Sequence, residues 1–330
     1  MAWVDIKGHK NEIDFLISAE KKDRLANSLL FLGPEGIGKK LVALEFAKFL
    51  LCKSSLQENP CEKCTSCLQV RANSHPDLHI ISLNSLDWIK IDQMREFQEK
   101  IYMSPYSSKR KIFIIDNAHM LTLEAANSLL KVMEEPPLNT ILILITNKID
   151  SCQETIVSRC QRIYFSPLAT QDIEELLSQK AQVVGNVTHF LSRFSQGSVS
   201  EAISLSKYKN FQVDKSRLLS AILDKDNLSI NDLANELDRQ YLGTIIEFMI
   251  SFFRDALFIR LRLGSDLLIN IDEPGKLNLL AGNMQFKDIQ ASLADLFKAQ
   301  ELNKANANSK ILLTWLIGNL RERVRPNYAR

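Results

Sequence analysis

Neither sign of charge dominates this chain: 41 lysines and arginines stand against 39 aspartates and glutamates, for a formal charge of +2. A strong nucleic-acid binder is usually far more basic, so any contact with a phosphate backbone is expected to be local. Long apolar runs are missing as well, and no stretch reaches the ~18 residues of a membrane-spanning helix. The opening Met1-Ala2-Trp3-Val4-Asp5-Ile6-Lys7 has no apolar core fit for export. These absences predict a cytoplasmic protein with no membrane partner. In that compartment the six cysteines are expected as metal ligands or reduced thiols before disulfides. Internal repeats and low-complexity stretches are also absent. What is present, 45% apolar and 24% charged residues over 330 positions, suffices for two or three ordinary globular domains.

The first half alternates short β-branched runs with helical patterns, the signal of a parallel sheet covered by helices. The runs are Ser28–Leu32, Leu78–Leu83, Lys111–Ile115, Ile141–Thr146 and Arg162–Phe165. Apolar residues Leu41, Leu44, Ala47, Phe49 and Leu50 predict one helix. A second runs from about Leu123 to Glu135, where Pro136-Pro137 must end it. After Pro167 the strand signal stops. Thr170 is a plausible N-cap with Asp172, Glu174 and Glu175 in the first turn, where the helix dipole favours acids. Gly185-Asn186 and Gln196-Gly197-Ser198 punctuate a small helical segment, and breaks near Asp224–Asn227 and Asp272–Gly275 divide a longer one. The expected architecture is an α/β nucleotide-binding-like domain over 1–166, a small helical lid over 167–207 and an all-α C-terminal domain over 208–330.

Gly33-Pro34-Glu35-Gly36-Ile37-Gly38-Lys39-Lys40 joins the first strand to a helix, the context a phosphate loop requires. Gly33, Gly36 and Gly38 let backbone N–H groups turn inward, and Lys39 reaches the outer phosphates. The next position should be a serine or threonine whose hydroxyl binds Mg²⁺. Lys40 stands there, and an ammonium repels a metal ion. ATP or ADP could still occupy the loop, with an impaired Mg²⁺ site. Asp116 closes the apolar strand at Lys111, where P-loop enzymes keep their second metal-site residue.

Cys61, Cys64 and Cys67 have C-x2-C-x2-C spacing, and Cys52 lies nine residues upstream. Four thiolates satisfy tetrahedral zinc and leave no open position for catalysis. A structural zinc module over 52–67 is expected, with Pro60 and a turn at Asn59 folding the loop back. His75 or His79 is the rival to Cys52 as fourth ligand. Lys63 is the one basic residue between Cys61 and Cys67, which favours a fold-stabilising role over a nucleic-acid knuckle. Cys152 and Cys160 are expected as buried thiols.

Ser158-Arg159-Cys160 follows the fourth strand and a short helix. With Ile91-Asp92-Gln93-Met94-Arg95, the segment Ala125–Lys131 through Glu134-Glu135-Pro136-Pro137, Ser74-His75-Pro76-Asp77 and the cysteine insertion, it makes the chain resemble the AAA+ clamp-loader family of bacterial DNA polymerase III, gamma/tau and delta-prime branch. The resemblance covers roughly residues 5–205; beyond that only length and helical character agree. It implies a P-loop AAA+ domain, a lid and a C-terminal collar within a five-subunit ring. The implied partners are gamma/tau and delta subunits, and through them the sliding clamp and primer-template DNA.

The resemblance also exposes further gaps. AAA+ enzymes follow the strand aspartate with a glutamate that polarises the attacking water. Here Asn117 follows, and an amide cannot accept the proton. Gly197–Ala202 resembles the sensor-2 segment, with Ser200 where a phosphate-sensing arginine usually sits. The implied reading is a non-hydrolysing stator that donates Arg159 in trans, since a guanidinium fork stabilises charge on a transferring phosphoryl group.

Plainer readings stand beside these. Arg159 could instead pair with Glu154 or solvent. Lys109-Arg110-Lys111 is expected as a solvated strand entrance, and Arg321, Arg323, Arg325 and Arg330 as a soluble helix face. The alternative function is an active gamma/tau-like motor. A zinc-dependent DNA-binding protein would need a basic stripe, which this chain lacks.

Overall fold

The computed structural model describes Trp3 and residues 6–54, 60–83, 88–180, 185–208, 211–223 and 241–324. By its internal contacts the chain divides into two compact units. One holds residues up to Asp172 together with Gly197–Ser200, and the other holds Ile173–Gln196 and everything from Glu201.

The first unit is built on five strands: β1 (Ser28–Leu32), β2 (Leu78–Ile81), β3 (Lys111–Asp116), β4 (Thr140–Thr146) and β5 (Gln161–Tyr164). They pair in the order β2-β3-β4-β1-β5, all parallel. Helix α1 (Lys10–Lys21) precedes β1. Parallel neighbours need crossovers, and helices supply them: α2 (Lys39–Leu51), α3 (Thr65–Arg71), α4 (Ile91–Tyr102), α5 (Leu123–Glu134) and α6 (Glu154–Val157). Central strands buried on both faces read as continuous apolar runs, as Leu29-Leu30-Phe31 and Ile112–Ile115 do. Side-chain alternation sends Leu30, Leu32, Phe113, Ile115, Leu142 and Leu144 to one face, under Met94 and Phe97 of α4 and Ala126 and Leu129 of α5. The opposite face is covered by α2, which touches β3 and β4. The fold is therefore the expected α/β AAA+ architecture, with helices on both sides of a parallel sheet.

Helix α2 forms where the apolar spacing after the glycine loop predicts one. Val42, Ala43, Phe46, Ala47 and Leu51 are its buried apolar residues, while Leu41, Leu44, Phe49 and Leu50 are only partly covered. Glu45 and Lys48 are buried on the same helix as an ion pair at 2.7 Å. Pro136-Pro137 ends α5 at Glu134 as expected. Helix α7 (Thr170–Lys180) includes Thr170 as its first residue, one position from the cap assigned to it.

In the second unit α8 (Asn186–Phe194), α9 (Val199–Lys207, from Glu201) and most of α7 belong with α10 (Phe211–Leu223), α11 (Leu242–Arg260), α12 (Pro274–Asn283), α13 (Phe286–Lys304) and α14 (Ser309–Val324). The break expected at Asp272–Gly275 precedes α12, and the one at Asp224–Asn227 lies outside the described residues. Phe190, Phe194, Phe211 and Phe248 pack as one aromatic cluster. Lys215 is fully buried against it, its Nζ 3.8 Å from the Phe190 ring centre and 2.5 Å from Asp272 Oδ2. Burial pushes the Lys215 ammonium below the usual lysine range, and Asp272 opposes that shift. Among the described residues no helix is long and apolar enough to cross a membrane.

Candidate functional site

In open parallel sheets ligands gather at the carboxyl ends of the strands. Those ends here carry the glycine loop after β1, Asp116-Asn117 after β3 and Thr146-Asn147 after β4. The loop turns on glycine. Gly33 has φ 153°, and a Cβ there would lie 2.3 Å from the Phe165 carbonyl. Gly36 has φ 73°, with Ser198 and Ser200 packed where its side chain would be. The Ser200 N–H donates to the Gly36 carbonyl at 3.1 Å, so the sensor-2-like segment closes on the loop through its backbone. Gly38 caps the start of α2 at φ 105°.

The two lysines are both engaged. Lys39 is buried and donates to the Gly33 carbonyl at 2.6 Å and to that of Pro34. Burial lowers its pKa, and Asp116 and Glu35 pull the other way. Lys40 Nζ lies 3.0 Å from Asp116 Oδ2, so an ammonium stands beside the carboxylate expected to hold a metal. Asn117 adopts the left-handed conformation at φ 59°, which asparagine tolerates better than most residues, and begins the turn Ala118–Met120.

The cysteines converge as expected. Cys52 ends α2, Cys64 caps α3, and the ligand atoms of Cys52, Cys61, Cys64 and Cys67 all lie within 4.8 Å of one another. Sulfur pairs at 4.0 Å (Cys52–Cys64) and 3.9 Å (Cys61–Cys67) approach the roughly 3.8 Å edge of a tetrahedron with ~2.3 Å metal–sulfur bonds. Backbone N–H groups of Cys61, Cys64 and Cys67 point at the sulfurs of Cys52, Cys61 and Cys64. Burial raises the Cys64 thiol, but the N–H groups of Cys67 and Lys53 and the neighbouring Cys61 and Cys67 thiols outweigh it and bring it down to about 6. The cluster could hold a metal ion. Lys48 fastens it to α2, bonding Glu45 and also Glu62 at 3.0 Å. Neither rival histidine joins. His75 Nδ1 accepts the Asp77 N–H and its Nε2 meets Ser108 Oγ, while His79 stacks on Phe113.

Arg159 follows the one-turn helix α6. Its Nη2 donates to Glu134 Oε1 at 2.6 Å and its Nη1 to the Thr155 carbonyl at 3.0 Å. Glu134, at the end of α5, takes the place foreseen for Glu154, because α5 packs on α6 while Glu154 sits on the same turn.

A family model described as DNA polymerase III, delta subunit matches residues 8–169, and one described as its C terminal matches 209–322. The chain belongs to the clamp-loader family of DNA polymerase III. Over 204 residues it is 36% identical to DNA polymerase III subunit delta' of Bacillus subtilis, covering 62% of this chain and 61% of that one. It is 29% identical to the tau subunit of the same organism, covering 78% of this chain and half of tau. The chain thus spans under two thirds of these relatives. Against delta' of Escherichia coli the match is 24% identical over 96% of this chain and 95% of that subunit. A gamma subunit-related protein of Thermotoga maritima shares the fold, with a TM-score of 0.51, 20% identity, and coverage of 95% and 99% of the two chains.

Within this clamp-loader frame several sequence expectations need correction. Of Lys109-Arg110-Lys111, expected as a solvated strand entrance, Lys109 is exposed but the other two are not. Lys111 is buried and caps the end of α4 by donating to the carbonyls of Lys100 (2.9 Å), Ile101 (2.6 Å) and Met103, and Arg110 pairs with Glu20. Arg323 bridges to Asp295 of α13 at 2.7 Å instead of facing water alone; Arg325 and Arg330 lie outside the described residues. Cys152 and Cys160 are half-buried, and burial pushes Cys160 up to about 12.

The sequence reading missed Asn147, which donates to Glu35 of the loop at 3.1 Å, and the Thr146–His119 contact at 3.1 Å. Their place at the end of β4 was the available signal. In the sequence Asp77 stands out only as part of Ser74-His75-Pro76-Asp77. It is buried and accepts the N–H groups of Tyr106, Ser107 and Ser108 at 2.6–2.8 Å, locking the loop before β3.

Proposed function

We propose that this chain is the delta-prime type of clamp-loader subunit: a stator that does not hydrolyse ATP and supplies Arg159 to a neighbour's site. The observation that carries this reading is Lys40 Nζ at 3.0 Å from Asp116. A lysine ammonium in that place satisfies the carboxylate and repels a divalent cation. Asn117 adds the lack of a base, and Ser200 the lack of a sensing arginine. ATP or ADP can be accommodated by Gly33, Gly36, Gly38 and Lys39 without turnover following.

In this reading residues 1–166 form the AAA+ module, 167–207 act as its lid and 208–330 enter the collar. Gamma/tau and delta subunits complete a hetero-pentamer that loads the sliding clamp on primer-template DNA. Zinc is the ion for Cys52, Cys61, Cys64 and Cys67. Four thiolates are its usual structural shell, and with every position filled by protein it supplies no catalysis.

A second reading, an active gamma/tau-like motor, is favoured by the 29% identity to tau over 78% of the chain. ATP turnover separates the two. The isolated chain should be silent, and Arg159→Ala should cut turnover of the reconstituted loader by about 10³-fold, the worth of an arginine finger. Turnover by the chain alone, or an indifferent Arg159→Ala, would install the motor reading.

A further inference from the structure

We propose that Glu134 is a latch on Arg159, holding the guanidinium within the chain until a neighbour's nucleotide displaces it. The inference rests on Arg159 acting in trans. The two contacts of the guanidinium differ in kind. Nη1 rests on a neutral carbonyl, that of Thr155 at 3.0 Å, whereas Nη2 rests on a full negative charge, Glu134 Oε1 at 2.6 Å. A guanidinium acts on a transferring phosphoryl group through its positive charge. With the carboxylate attached, that charge is cancelled, and Glu134 would itself repel an approaching triphosphate. The Thr155 contact can persist while the arginine works; the Glu134 contact cannot.

The surroundings suit an exchangeable bond. Side-chain exposure is 36% for Arg159 and 52% for Glu134, so solvent screens the pair and opening it costs little. Both residues are nevertheless held in register. Glu134 is the last residue of α5, stopped by Pro136-Pro137, and Arg159 leaves α6, which packs on α5. A carboxylate placed by one helix and a guanidinium placed by another can part without moving either backbone.

The test uses the reconstituted loader with this chain native or carrying Glu134→Gln, Glu135→Gln or Arg159→Ala, with kcat and KM for ATP measured at low and high salt. Glutamine keeps the shape of Glu134 and removes its charge. The expected result is a KM lowered about twofold to fivefold with kcat retained, the range an exposed ion pair can supply. The gain should shrink at high salt, and Glu135→Gln, losing the same charge one residue on, should be silent. An unchanged or raised KM, or a fall in kcat, in Glu134→Gln would overturn the latch, as would an equal gain from Glu135→Gln. If Arg159→Ala is silent, the latch falls together with the finger. If Arg159→Ala is crippling while Glu134→Gln changes nothing, the latch alone falls.

Discussion

Two corners of the first unit carry a similar charge pair in different surroundings. At the phosphate loop Lys40 meets Asp116 at 3.0 Å, and at the edge Arg159 meets Glu134 at 2.6 Å. The loop's carboxylate is the more enclosed, with Asp116 18% exposed against 52% for Glu134. In the stator reading proposed above, the ammonium beside the enclosed strand-end aspartate fills the place of a metal and closes that site. A guanidinium beside an exposed helix-end glutamate remains available to a stronger anion. What separates a closed site from a poised one is how much water the carboxylate keeps.

The largest effect should come from the cysteine module, which touches only one of these corners. Helix α2 runs from the glycine loop to Cys52, and Lys48 ties its last turns to Glu62 between Cys61 and Cys64. Stripping the proposed zinc, or Cys64→Ser, should lower Tm on the order of 10 °C, since structural metal binding is folding free energy. Hydrogen exchange should rise along α2 and stay unchanged around Arg159. Equal loss of protection at both places would break the separation of the two corners.

Next in size is the fully enclosed limit of the same bond. Lys215 and Asp272 have side chains 0% and 7% exposed. Lys215→Met should cost about 3–5 kcal/mol in chemical denaturation, because it strands a buried carboxylate. Adding Asp272→Leu should recover much of that loss. If Lys215→Met were no worse than Arg159→Ala in stability, burial would not be what ranks these pairs.

Much of this was legible in the sequence, because motifs that depend on neighbours in the chain declare themselves. The glycine loop, Cys61-x2-Cys64-x2-Cys67 and the Pro136-Pro137 stop are local, and each appears where its spacing placed it. Partners chosen by packing were not legible. Arg159 pairs with Glu134, 25 residues away, instead of nearby Glu154, and Lys111 reads as surface charge until α4 presents its carbonyls to it. The apolar spacing in α2 yielded its helix but not the buried Glu45–Lys48 pair, for the same reason. The second unit offered only periodicity, which yields helices and not their contacts.

A smaller effect probes the far end of β3. Burial raises the carboxyl of Asp77, but the N–H groups of Tyr106, Ser107 and Ser108 and the Ser107 hydroxyl outweigh it and hold the pKa below the ordinary carboxylate range. A depressed folded pKa stabilises above the unfolded value, near 3.9, and the benefit is lost as pH falls through the folded one. Asp77→Asn should cost about 2 kcal/mol at neutral pH, and the gap to the native chain should narrow only below about pH 4. A gap independent of pH down to acid unfolding would mean the carboxylate charge is not what holds the loop.

The smallest effect is the sharpest test of the loop corner. Lys40→Thr replaces the ammonium with the hydroxyl that a Mg²⁺ site requires, and it frees Asp116. Stability should change by no more than about 1 kcal/mol, since the pair is partly solvated with Lys40 45% exposed. Mn²⁺ binding in the presence of ATP, followed by electron paramagnetic resonance, should appear in the variant and be absent from the native chain. Turnover by the isolated variant should stay at background, because Asn117 still provides no base. Metal binding without turnover would divide the defect between its two residues, Lys40 for the ion and Asn117 for the water. Turnover restored by Lys40→Thr alone would show that Asn117 is no barrier, and that a single ion pair separates this chain from a motor.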